Sequence, residues 1–143
     1  ERAPFVDVNA RGLFTGMTTS TAPADLAMAT CESIAYAARH CIQAAGLSGD
    51  LYVCGGGSNS TTWLQMFADV LQHPLKVARR PEVGARGAAM AAMQAAGDGF
   101  DPSEWTDPET TIVPNPAVAQ LYNAGFDTYT SLIRAIQPTW CPK

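Results

Sequence analysis

The sequence predicts an α/β fold, a layered sheet with packed helices, and three observations predict it. Two short apolar runs, Leu51 to Cys54 and Leu75 to Val77, have the length and composition of strands. Each is followed by a longer stretch whose apolar residues recur at helical steps. The order strand, helix, strand, helix is that of a layered domain. With 143 residues, 47% of them hydrophobic, the chain suffices for one buried core. A single domain over residues 1–143 is expected, with its motifs in 1–97 and a loop plus a last helix in 98–143.

Taken in order, the opening ERAPFVDVNARGLFTGMT carries Pro, Asn and Gly among short apolar pieces. It reads as a loop at the border of a cleft, leading into a short strand around Leu13 to Met17. A long helix is expected from Pro23 to Ala45, where Leu26, Thr30, Ile34, Ala37, Cys41 and Ala45 recur at steps of three and four. Pro23 suits its first turn and Gly46 its C-cap. The run LYVC then ends in Gly55, Gly56 and Gly57, and a helix starting near Ser58 or Ser60 carries Leu64, Phe67, Val70 and Leu71 on one face. Leu75 and Val77 flank Lys76 in a second strand, and Glu82 to Gly87 lead into an alanine-rich helix ending near Gly97. Pro102, Pro108, Pro114 and Pro116 make 98–116 a loop. A last helix is expected from Ala117 to Ile136, with Asn115 and Pro116 as N-cap and first-turn residue.

Several function classes are disfavoured by composition. Nine Lys and Arg against thirteen Asp and Glu give a net charge of -4, and the basic residues are scattered apart from Arg79 and Arg80, which argues against a nucleic-acid partner. No apolar stretch approaches the roughly 20 residues needed to cross a bilayer, so no membrane partner is expected and the chain reads as cytoplasmic. The four cysteines, Cys31, Cys41, Cys54 and Cys141, form no C-x-x-C pair and read as reduced thiols. Cys31 and Cys41 on one helix would stand about 15 Å apart, beyond disulfide reach. His40 and His73 lack ligand-spaced partners, so no metal site is expected from this chain. Ser58 and Ser60 lack a G-x-S-x-G frame. Trp63, Trp105 and Trp140 read as packing or lid residues.

The glycine run holds the chemical interest. A strand ending in residues without Cβ lets a flat ligand or a phosphate reach the backbone, and the following helix points amide groups and a positive dipole end at it. The run lacks the Lys-Ser/Thr ending of a P-loop and the G-x-G-x-x-G spacing of a dinucleotide fold. A dehydrogenase would also want an acid after the next strand, where Ala78, Arg79 and Arg80 stand. Alone, three glycines after a strand fit a tight turn equally well.

The stretches GLFTGM, DLAMATCES, LYVCGGGSNSTTWLQMFADVL and PEVGARGAAMAA, in this order and spacing, resemble the FGGY family of carbohydrate kinases. Gly12, Phe14, Gly16 and Met17, a seven-residue gap, then Asp25, Leu26, Ala29, Thr30 and Glu32 are similar to that family's second signature. Cys31 stands where a larger apolar residue is usual. The resemblance runs from Glu1 to about Gly97. It implies an actin-like ATPase (ribonuclease H-like) C-terminal lobe, with ATP and Mg²⁺ as cofactors and a ketose or polyol as substrate. The opening loop resembles pentulose kinases of the xylulokinase type, with erythritol, ribulose and glycerol as alternatives.

By the resemblance, Gly55, Gly56 and Gly57 would lie beside the adenosine and α-phosphate, and Ser60 at the position from which a side chain reaches adenine, an Asn in glycerol kinases. Gly84 would belong to the second connecting motif, Gly84 to Ala88, where it and Gly87 let a helix pack closely; a plain helix start explains them equally. Asp7 and Arg11 would border the cleft, with structural roles favoured, and Glu32 would make a structural hydrogen bond. The catalytic Asp and first phosphate loop would belong to a lobe outside this sequence, as expected of a piece of a longer kinase, so no catalytic residue is assigned here. A homodimer is left open. The rivals are an ATPase-type switch without a sugar acceptor, against which the opening segment argues, and a non-catalytic interaction module indifferent to nucleotide.

Overall fold

In the computed structural model, which describes residues 3–78, 82–97, 101 and 108–140, the alternating pattern becomes four helices against a three-stranded sheet among those residues. Arg79, Arg80, Pro102, Trp105 and Cys141 lie outside the described residues. Helix α1, Pro23–Ala44, starts on Pro23, whose fixed φ suits a first turn. There the Asp25 carboxylate accepts the Ala22 N–H at 2.8 Å, satisfying one amide at the helix start. Gly46 follows the helix at φ 62°.

Strand β1, Leu51–Val53, and strand β2, Leu75–Ala78, pair in parallel with Leu51 opposite Leu75, and helix α2, Thr61–Leu71, connects them. Helix α3, Val83–Ala96, ends on Gly97 at φ 82°. Helix α4, Ala119–Ile136, follows a 3₁₀ turn at Pro116–Val118. Asn115 is the expected cap, its Oδ1 accepting the Ala117 N–H at 3.0 Å, but it caps the 3₁₀ turn.

Two expectations are corrected. Residues 98–116 are not loop throughout: strand β3, Pro108–Ile112, lies antiparallel to β2, with an irregularity opposite Val77 and Ala78. Pro108 occupies the first position of the strand, where proline is tolerated, and the β-branched Thr110, Thr111 and Ile112 continue it. The strand expected around Leu13 to Met17 does not form. Gly16 turns the backbone to φ 74°, and Leu13, Phe14 and Met17 are 54%, 48% and 58% exposed.

The core lies where α1, α2 and α4 meet behind the sheet. Ala35, Met66 and Val70 are buried together, with Cys31, Tyr36, Phe67 and Tyr122 packed against them. Leu64, Ala68, Leu75, Val77 and Phe126 are buried as well. Gly125 marks the close crossing of α4 over α1, because a Cβ there would overlap the Tyr36 hydroxyl and come within 2.9 Å of its Cζ.

Two polar residues bind the layers. Arg39 donates to the Val70 carbonyl at 3.1 Å and to Asn123 Oδ1 at 2.8 Å while its guanidinium lies 4.4 Å from the Phe126 ring centroid, joining α1, α2 and α4. Asp69, buried in α2, accepts the Asn115 N–H at 2.7 Å and Gln65 Nε2 at 2.8 Å. Gln65 also donates to the Val113 carbonyl at 3.0 Å, so the segment after β3 is fastened to the helix behind the glycine turn.

Candidate functional site

β1 runs out at Val53, and after the exposed Cys54 the chain reaches Gly55 with φ 92° and ψ -176°, backbone that residues with a Cβ rarely adopt. The Gly55 carbonyl accepts both the Ser58 N–H at 3.0 Å and the Ser58 hydroxyl at 2.7 Å. These bonds close a 3₁₀ turn over Gly56–Asn59. Ser60 then caps α2, its Oγ accepting the Trp63 N–H at 3.3 Å. The four expected residues Gly55, Gly56, Gly57 and Ser60 are thus gathered in one turn at the carboxyl end of β1 and the amino end of α2.

The three glycines have different reasons. Gly55 is demanded by its φ. A Cβ on Gly57 would stand 3.7 Å from Trp63 Nε1 and 3.9 Å from its Cδ1, ordinary contact distances. Gly56 has the most open position, since its φ is not positive and a Cβ there would meet nothing within 4 Å. Its open face gives a ligand direct access to the backbone, beside a helix start whose dipole favours negative charge.

Gly84 opens α3 downstream of β2. Because β1 and β2 are parallel, their carboxyl ends lie at the same end of the sheet, the end where ligands of open α/β sheets bind. A Cβ at Gly84 or Gly87 would meet nothing within 4 Å, so the close packing expected of these two glycines has no counterpart among the described residues. Of the side chains of α3, those of Arg86, Met90 and Met93 are half-buried and the others exposed.

The remaining candidates take structural positions. Asp7 accepts the Asn9 N–H at 2.8 Å, and Arg11 donates to the Ala10 carbonyl at 2.9 Å. Glu32 sits near the phenols of Tyr36 and Tyr122, where its charge opposes their ionisation. Burial, reinforced by the Glu32 charge, pushes the Tyr36 phenol up to about 12 and raises Tyr122. His40 is edge-on to Phe126 and Tyr129, its Nδ1 buried with no hydrogen-bond partner among the described residues, while His73 Nδ1 lies 2.9 Å from the Pro74 carbonyl. Trp140 stacks on Phe5 at 5.6 Å, closing one end of an apolar groove of about 470 Å³ between α1, α4 and the opening segment. Cys31, Cys41 and Cys54 are free thiols. Among the described residues no group of three or more His, Cys, Asp or Glu side chains is placed to hold a metal ion, and no helix is long and apolar enough to cross a membrane.

Sequence reasoning missed Arg39 and Asp69, whose partners lie far along the chain, and it read Trp63 as a packing or lid residue without linking it to the glycine turn, against which its indole lies.

The model of the C-terminal domain of the FGGY family of carbohydrate kinases matches residues 1–96. An erythritol kinase of Brucella abortus is 32% identical over 147 aligned positions, covering 98% of this chain and 28% of that protein. The ligand-bound xylulose kinase of Lactobacillus acidophilus superimposes with a TM-score of 0.87 at 26% identity, over 97% of this chain and 30% of that one. The xylulose kinase of Rhodospirillum rubrum gives 0.79 at 30% identity, over 92% and 28%. The chain therefore spans between a quarter and a third of the length of these relatives, and the fold is that of the actin-like ATPase sugar kinases.

Proposed function

The chain belongs to the FGGY family of carbohydrate kinases, and from that membership we propose that it supplies the adenine-nucleotide-binding part of the C-terminal lobe of an ATP-dependent kinase acting on a hydroxyl of a ketose or polyol. The observation that carries this reading is the turn at Gly55 to Gly57. It follows a parallel strand at its carboxyl end, precedes a helix start, and leaves open space where side chains at Gly55 and Gly56 would stand. That open space fits an adenine nucleotide, because a flat base or a phosphate needs backbone unshielded by Cβ.

Bound ATP supplies the phosphoryl group, and Mg²⁺ accompanies its phosphates. The work of this chain is binding and orientation. The amide groups at the start of α2, with its dipole, favour the negative charge of the nucleotide. The Ser60 hydroxyl accepts from Trp63 and keeps its own O–H to donate to the base, directly or through a water. Gly84, at the start of α3, is the further candidate for the nucleotide site, by the family resemblance. The general base and the main sugar contacts belong to the other lobe of the kinase.

A xylulose-like pentulose is the favoured acceptor, ahead of erythritol, ribulose or glycerol. The xylulokinase-like opening loop and the similarity to two xylulose kinases support that preference. The test is phosphorylation of a ketose and polyol panel by the complete kinase carrying these residues. Gly56→Asp should abolish turnover by crowding and repelling the nucleotide. Unchanged turnover would sink the assignment.

A further inference from the structure

We propose that Trp63 is a positioning residue for the nucleotide, its indole holding the glycine turn in the shape that admits the ligand. The inference rests on the nucleotide reading of that turn. Trp63 lies in the first turn of α2, half-buried, and its Nε1 and Cδ1 occupy the side of Gly57 on which a side chain would project, 3.7 and 3.9 Å from such a Cβ. Gly55 and Gly56 have no such neighbour. The same residue's backbone N–H is held by the Ser60 hydroxyl. One helical turn further on, Phe67 packs against the indole with ring centroids 5.5 Å apart, and Phe67 in turn packs against the buried cluster of Ala35, Met66 and Val70.

Core, Phe67, Trp63 and glycine turn therefore form a continuous stack. Its outer end is the exposed backbone of Gly56 and Gly57, which carry no side chains to fix it. A binding turn held by local hydrogen bonds alone samples other shapes, and each lost shape restriction weakens binding of a ligand that needs one of them. An aromatic prop that reaches into the core removes that freedom without touching the reacting atoms.

The experiment compares wild type, Trp63→Leu and Trp63→Phe in the complete kinase. Trp63→Leu should raise the KM for ATP roughly 10- to 100-fold, with kcat and the KM for the sugar within about twofold. Trp63→Phe, which keeps a ring on Phe67, should recover most of the loss. The fluorescence difference between wild type and Trp63→Phe should change when ADP or ATP is added. An unchanged KM for ATP in Trp63→Leu, or equal effects on ATP and sugar with no recovery in Trp63→Phe, overturns the proposal. Should Trp63→Leu fail to fold, the fluorescence difference decides, and a signal blind to nucleotide overturns it. A wild type that itself shows no nucleotide dependence refutes the nucleotide reading of the turn, a separate result from failure of the Trp63 role.

Discussion

Gly56 separates a ligand's need from the chain's own need. In the unliganded chain Gly56→Ala adds a methyl group to space in which nothing stands within 4 Å, at a residue whose φ an alanine adopts. Its stability should therefore stay within about 0.5 kcal/mol of wild type, as for ordinary surface changes. Gly55→Ala, by contrast, forces a Cβ onto φ 92° and should cost about 1–3 kcal/mol before any ligand is added. ATP at 100 times its Kd should stabilise the wild type by about 2.7 kcal/mol. If the alanine methyl weakens binding tenfold, the same ATP concentration gives Gly56→Ala about 1.4 kcal/mol, half the effect. Urea denaturation with and without ATP measures all four quantities. Equal ATP stabilisation of wild type and Gly56→Ala would refute the argument that the open face at Gly56 admits nucleotide. A Gly55→Ala protein as stable as wild type would refute the conformational argument at its neighbour.

Asp69→Ala should lower the urea-denaturation stability by about 2–3 kcal/mol, because it strips the Asn115 amide and Gln65 of a charged acceptor, and Asp69→Asn should lose about half as much. Gly125→Ala gains about 1 kcal/mol of helix propensity but overlaps Tyr36, an overpacking that costs about 1–3 kcal/mol, so a net loss is expected, and a more stable variant would contradict the close crossing. The Tyr36 phenol, at 10.0 when unfolded and about 12 in the fold, is neutral in the native state over a range where the unfolded chain ionises. Its contribution is therefore complete below about pH 10 and lost as pH rises towards 12, a decline that Tyr36→Phe should flatten and that phenolate absorbance follows.

What the sequence made legible is what short-range chemistry determines. The repeats in α1, α2 and α4 and the prolyl start at Pro23 are each decided within a few residues and appear where the pattern puts them, while Asn115 caps a 3₁₀ turn ahead of α4 and not α4 itself. β3 was hidden because Pro108 and the prolines flanking the strand spell loop locally, while its pairing with β2 is decided by residues some 30 positions upstream. The error at Leu13 to Met17 has the opposite form. Leu13, Phe14 and Met17 give the segment the apolar content of a short strand, but no strand of the described sheet pairs with it. Arg39 and Asp69 lay beyond sequence reasoning for the same reason as β3: the bonds that explain them span 31, 84 and 46 residues.

At the candidate site the sequence treated the three glycines of the turn alike, and the backbone divides them. Gly55 would be required in any protein with this turn, nucleotide or none, so its presence is weak evidence for function. The same holds for Ser60, whose hydroxyl caps α2; serine and asparagine are both strong N-caps, so helix demand alone accounts for either residue at this position. A Ser60→Ala variant would mix a lost cap, about 1 kcal/mol, with any lost contact to the base, and could not apportion them. Gly56 is free of that ambiguity, because neither φ nor packing asks for glycine there. The case for a nucleotide at this turn thus rests most firmly on the glycine that the fold itself does not need.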